Sequence, residues 1–232
     1  MLTVERVSIP CEAGLLAGEL SYADDGGANY LALLLNPHPH MGGSMRNGLI
    51  AHLAVDLPGD GAIVLRFDYR GVAGSDGAPP DIAGSMAEFW RTGHAPEDKG
   101  MLRDAGTALN WARLQAPGVP AVLIGYSFGA AAAVQLLRED AVAAAILIAP
   151  TLRQHDFSLA AASVTPPLLV IYSNDDFATP PDVTESWLST VDAESRCIEG
   201  GNHFFLGREA DVARACRVFA SRVLRLAEAK CS

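Results

Sequence analysis

No stretch of this 232-residue chain approaches the roughly 18 consecutive apolar residues that a membrane-spanning helix needs. The opening residues, MLTVERVSIPCEAGLLAGEL, carry acids early and no apolar core behind a basic segment, so no secretory leader is expected. Cysteine is scarce as well. Cys11, Cys197, Cys216 and Cys231 stand apart without C-x-x-C spacing, which argues against a zinc cluster or redox pair and suits free thiols in a reducing cytoplasm. Positive charge is the scarcer sign: 17 Lys and Arg face 27 Asp and Glu, a formal charge of −10. Nucleic acids and anionic membranes call for a basic patch, so the balance disfavours both and suits a neutral or cationic small molecule. Internal repeats, low-complexity tails and linkers are also missing, so residues 1–232 are expected to form a single domain.

What the chain has in quantity is apolar residues, half of the total, in runs of strand length. These fall at 2–9, 15–22, 30–36, 61–69, 120–126, 143–149, 167–173 and 193–199, and the first two read as a hairpin. Stretches with helical spacing lie between the later ones, at 45–57, 101–115, 128–138, 182–190 and 207–229. Such alternation implies an α/β fold with a mostly parallel sheet and helices on both faces. LALLL, AVLI and ILIA are apolar throughout, as strands buried on both faces are. Two segments interrupt the rhythm: residues 71–100, rich in Gly and Pro yet carrying Met86, Phe89 and Trp90, and residues 150–166. Both leave carboxyl ends of strands, where open α/β sheets place their ligands.

Residues 122–132 read VLIGYSFGAAA and contain G-x-S-x-G between a buried strand and an Ala-rich helix. Ser127 could simply cap that helix. Alternatively, the flanking glycines allow a turn so sharp that the hydroxyl stands out as a nucleophile. A serine nucleophile needs an oriented base, and of the six histidines only His203, in EGGNHFFLG, follows the last strand and precedes the terminal helix. The adjacent Asp175 and Asp176, in LLVIYSNDDFATP, follow the preceding strand and offer the acid. The order Ser, Asp, His, with each residue after a strand, favours nucleophilic chemistry over three unrelated turns.

Together with NPHPHMGGSMRN (36–47), RFDYRGVAGSDG (66–77) and NHFFLG (202–207), the GYSFG elbow resembles the α/β-hydrolases, and within them the small bacterial serine hydrolases related to dienelactone hydrolases. The likeness spans about residues 30–220. It implies an eight-stranded, mostly parallel sheet flanked by helices without a large cap domain, residues 78–100 being a candidate partial lid. The family's acid stands three residues after a small strand-end residue and four before a proline, which selects Asp176 from Ser173 and Pro180. The resemblance implies a catalytic triad of Ser127, Asp176 and His203, with oxyanion donors at the backbone N–H of Phe128 and of His40, Met41 being the alternative to His40.

The expected function is therefore that of a serine hydrolase cleaving a small carboxylic ester or thioester through an acyl-enzyme. Peptidase, perhydrolase or carbon–carbon bond hydrolase chemistry on the same residues, and a non-catalytic binding role, are the alternatives. The only partner expected is a small-molecule acyl substrate, and no cofactor is. His38 and His40 lack an evident third ligand, so no metal is expected, and RGVAGSDG does not have the glycine spacing of a dinucleotide site. Arg66 and Arg70 flank Asp68 and are expected to make internal ion pairs supporting the RG turn.

Overall fold

The computed structural model describes residues 1–24, 27–139, 142–161 and 166–231. Strand β1 (Leu2–Cys11) and strand β2 (Gly14–Ala23) form the expected hairpin, in register from Leu2 opposite Ala23 to Cys11 opposite Gly14. The remaining apolar runs become β3 (Tyr30–Leu35), β4 (Ala62–Phe67), β5 (Ala121–Tyr126), β6 (Val142–Ile148), β7 (Leu168–Asp175) and β8 (Glu194–Asn202). They join in one sheet of order β1-β2-β4-β3-β5-β6-β7-β8. Only the pairings of β2, with β1 and with β4, are antiparallel. The expected eight-stranded, mostly parallel sheet without a large cap is thus what the chain forms.

Strand β3, near the middle of the sheet, shows why those runs are continuous. Successive side chains of a strand point to opposite faces. Leu31, Leu33 and Leu35 pack with helices α3 (Asp98–Gln115) and α4 (Phe128–Gln135), while Tyr30, Ala32 and Leu34 pack on the other face with α1 (Gly48–Asp56) and α6 (Glu209–Cys231). With both faces covered, no position of β3 tolerates a polar side chain. In α4 the buried Ala130 to Ala133 keep the helix slim enough to sit close against β3 and β5. Helix α5 (Pro181–Leu188) follows β7 and adds Trp187 and Leu188 to the α3–α4 side. Among the described residues, no helix is long and apolar enough to cross a membrane.

The structure departs from expectation in the Gly- and Pro-rich segment. Residues Ile82–Thr92 form a helix, α2, whose start is capped by the Asp81 carboxylate accepting the Gly84 N–H at 2.9 Å. It ends at Gly93, in the left-handed conformation with φ 75°. Ile82, Met86, Phe89 and Trp90 fall at helical spacing, but the Gly and Pro residues around them mask that period, and of the helix only Phe89 is buried.

Truncating the sheet centre should be costly. Leu33→Ala is expected to lower the unfolding free energy by about 2–5 kcal/mol, whereas Val55→Ala, on the exposed face of α1, should stay within about 0.5 kcal/mol. Urea titrations of the two variants check this; comparable losses would contradict the assignment of β3 to the core.

Candidate active site

Strand β5 is hydrogen-bonded on both sides, to β3 and β6, and cannot bend before its last residue. The chain reverses into α4 at one residue, Ser127, which has φ 56° and ψ −116°. Such positive φ is strained for any residue with a side chain and points to a site where position matters. The turn is possible because of its glycines: a Cβ on Gly125 would run into the Gly129 carbonyl, and one on Gly129 into the carbonyl of Leu35 at the end of β3. The Ser127 N–H donates to the Ile148 carbonyl at 2.8 Å, and its side chain makes no capping hydrogen bond.

That hydroxyl instead faces an imidazole. His203 Nε2 lies 3.1 Å from Ser127 Oγ, and Nδ1 lies 2.9 Å from both oxygens of Asp176. All three groups are buried, whereas the neighbouring Asp175 is exposed. Asp176 Oδ1 also accepts the N–H groups of Ala178 (2.8 Å) and Thr179 (3.1 Å), which orient the carboxylate. The histidine loop is tied down by Tyr126, whose hydroxyl donates to the His203 carbonyl at 2.9 Å. Burial pushes that phenol well above its ordinary pKa, so it stays a donor.

The loop after β3 passes beside Ser127. Its expected donor, His40, is differently engaged: the His40 N–H points at His38 Nδ1 at 3.1 Å, which takes it away from a reacting oxygen. The alternative, Met41, donates to the His38 carbonyl at 2.9 Å. His38 itself lines the cavity that holds Ser127, and among the described residues its N–H finds no acceptor. Phe128, the residue after Ser127, also lines the cavity and opens α4, so its N–H is one of the first-turn donors that a helix leaves unsatisfied.

Arg66 and Arg70 both make internal ion pairs. Arg66 binds Glu19 and Arg70 binds Asp104. Asp68 pairs with neither; its Oδ1 accepts the Met45 N–H at 2.7 Å while Arg66 donates to the Met45 carbonyl at 3.0 Å. Met45, in the same loop, is thus held at both ends of its backbone.

The cavity measures about 400 Å³ and contains Ser127, Phe128, His203, Phe177 and Trp90 in its walls. Its cationic contributors are Arg91 and Arg153, and among the described residues no carboxylate lines it. Phe89 of α2 sits against the rings of His38 and His40, with centroids 4.6 and 4.8 Å away.

Comparison with known proteins adds to this geometry. Residues 41–162 match the model of the family described as "Serine aminopeptidase, S33". The chain belongs to this family of α/β-hydrolases. An uncharacterized protein of Rickettsia prowazekii is 30% identical over 196 residues, covering 80% of this chain and 76% of its own. An α/β-hydrolase of unknown function from Agrobacterium tumefaciens superposes with a TM-score of 0.80 at 27% identity, over 95% of this chain and 97% of that one. A lidless α/β serine hydrolase from Xanthomonas campestris gives 0.74 at 26%, over 96% and 94%.

In this α/β-hydrolase, sequence reasoning missed a polar cluster behind the loop. His38 Nε2 lies 2.8 Å from Asp98 Oδ1, and His94 Nδ1 lies 3.1 Å from Asp98 Oδ2. Burial alone would raise the Asp98 carboxyl, but the hydrogen bonds and charge of His38, with further hydrogen bonds, bring it below its ordinary value. His155 lies beside His94, with ring centroids 4.8 Å apart, and burial lowers its imidazole pKa to about 4. His94 and Asp98 stand four residues apart, but His38 and His155 come from distant stretches of the chain, so the cluster as a whole has no sequence signature.

Tyr126→Phe leaves the His203 carbonyl buried without its donor and is expected to cost about 1–3 kcal/mol of stability. A change below about 0.5 kcal/mol in urea unfolding would mean that the hydroxyl does not hold the loop.

Proposed function

We propose that this α/β-hydrolase cleaves a small carboxylic ester or thioester through an acyl-enzyme on Ser127. The observation that carries the reading is the continuous chain from Ser127 Oγ through the His203 ring to the Asp176 carboxylate. His203 Nε2 takes the proton as Ser127 attacks the acyl carbonyl, and Asp176 holds the ring with Nδ1–H toward itself and stabilises the imidazolium. The oxyanion is received by the N–H of Phe128, the residue after Ser127, and by that of His38 in the loop after β3, which has no acceptor among the described residues. His203 then protonates the leaving group, and a water activated by the same nitrogen releases the acid.

The family description favours a second reading, an aminopeptidase. A free α-ammonium group is normally met by a carboxylate, and the lining of this cavity offers Arg91 and Arg153 instead. An uncharged or anionic acyl group suits those walls better. Helix α2 acts as a partial lid in this reading, since it rests on the loop through Phe89 and the contact of Ser85 Oγ with His40 Nε2.

A fluorophosphonate probe should label the protein at Ser127, with labelling lost in Ser127→Ala and His203→Ala. A folded wild-type protein that resists the probe would refute the hydrolase mechanism. With p-nitrophenyl acetate, Ser127→Ala should lower kcat by roughly four to six orders of magnitude and Asp176→Asn by about four, while Asp175→Asn should change little. Faster turnover of an aminoacyl p-nitroanilide than of any acyl ester would favour the aminopeptidase.

A further inference from the structure

Three side chains outside the triad converge behind the β3 loop. His94 follows the end of α2, Asp98 begins α3, and His155 lies in the loop after β6; one ligating atom of each falls within 4.8 Å of the others. Two of the three are already held from behind. His155 Nδ1 is 2.8 Å from Thr151 Oγ1, whereas its Nε2 is buried and has no partner. A buried N–H without an acceptor is rarer and costlier than a buried lone pair, so the ring proton belongs on Nδ1, donating to Thr151, and Nε2 presents a lone pair. Asp98 is held in the same manner: His38 Nε2 donates to Oδ1 and leaves Oδ2 directed at His94.

Outer hydrogen bonds that fix tautomer and carboxylate orientation are a recurrent property of metal centres. A separate cavity of about 560 Å³ touches His94, Asp98 and His155, giving an ion a way in and a water molecule room as a fourth ligand. The remaining adjustment is small in kind. Zinc bonds of about 2.0–2.2 Å require the ligand atoms to draw closer together, and His94, with 53% of its side chain exposed, is free to swing.

We propose that His94, Asp98 and His155 form a site for a divalent transition cation, with Zn²⁺ the best match to two imidazoles and one carboxylate. The ion joins the C-terminal end of α2 to the β6 loop. His155 and Phe128 line both this cavity and that of Ser127, so the ion stiffens a shared wall while leaving Ser127 and His203 unligated.

The test uses the full chain, stripped with a chelator and titrated with Zn²⁺ by calorimetry, with Co²⁺ absorption reporting the coordination sphere. One equivalent should bind, with a visible spectrum typical of four-coordinate Co²⁺. His94→Ala, an exposed change the fold tolerates, and His155→Gln should each weaken binding at least about tenfold. Thr151→Val, which removes only the tether on Nδ1, should weaken it by about tenfold, with circular dichroism confirming the fold. The proposal is overturned if no saturable binding occurs or if His94→Ala binds as the wild type does. Retention of Zn²⁺ by the His94→Ala/His155→Gln double variant would assign the ion to thiols and overturn it equally.

Discussion

The close approach of α4 to the end of β3 is the constraint on which the rest of the site depends. Gly129 presses on the Leu35 carbonyl, and Gly125 faces the Gly129 carbonyl one turn along. With those contacts made, no relaxed backbone joins β5 to α4, and the residue between them is driven to φ 56°. The strain is sustained because strands on both sides of β5 and the buried alanines of α4 over-determine the turn. Its consequence is chemical: a serine that would otherwise bend back to cap its own helix presents its hydroxyl to the neighbouring histidine.

The same parallel geometry brings the other groups to Ser127. Strands β3, β5, β7 and β8 run in one direction, so their carboxyl ends share an edge. From that edge emerge the loop with His38, the turn at Ser127, Asp176 and His203. Cross-links between these loops then remove the freedom that a loop otherwise keeps. Tyr126 fixes the histidine loop, Thr179 Oγ1 donates to the Pro150 carbonyl at 2.8 Å, and Asp68 with Arg66 grips Met45. Each cross-link joins elements far apart in sequence, which converts the rigidity of the sheet into rigidity of the site.

This difference between local and distant determinants explains what the sequence discloses. The strands are legible because burial on two faces leaves continuous apolar runs. Ser127, Asp176 and His203 are legible because chain order and strand ends are linear properties. Helix α2 is not, since its short apolar stripe of Ile82, Met86, Phe89 and Trp90 is set among Gly and Pro residues that read as loop, and only Phe89 of it is buried. Nor is the state of the backbone donors in the loop after β3. A backbone N–H carries no residue identity, and only the structure shows that the N–H of His40, the expected donor, is bonded to the His38 ring. The arginines were legible as internal ion-pair residues, but their partners Glu19 and Asp104, 47 and 34 positions away, were not.

Charge shows the same divergence between composition and place. A net charge of −10 suits a neutral or cationic ligand when spread evenly over a surface. The cavity differs from that average: its cationic side chains include Arg91 and Arg153, and no carboxylate lines it among the described residues. Screening confines the field of exposed charges to about 8 Å at physiological ionic strength, so a reacting group responds to the two guanidinium groups at the cavity more than to acids across the molecule. Arg91 is partly answered by Glu88 at its side, whereas Arg153 has no ion-pair partner among the described residues. A negatively charged group at the cavity therefore meets a local attraction, while the acids elsewhere on the molecule are largely screened from it. In the proposed hydrolase, that arrangement acts on the bound ligand rather than on the rate of encounter.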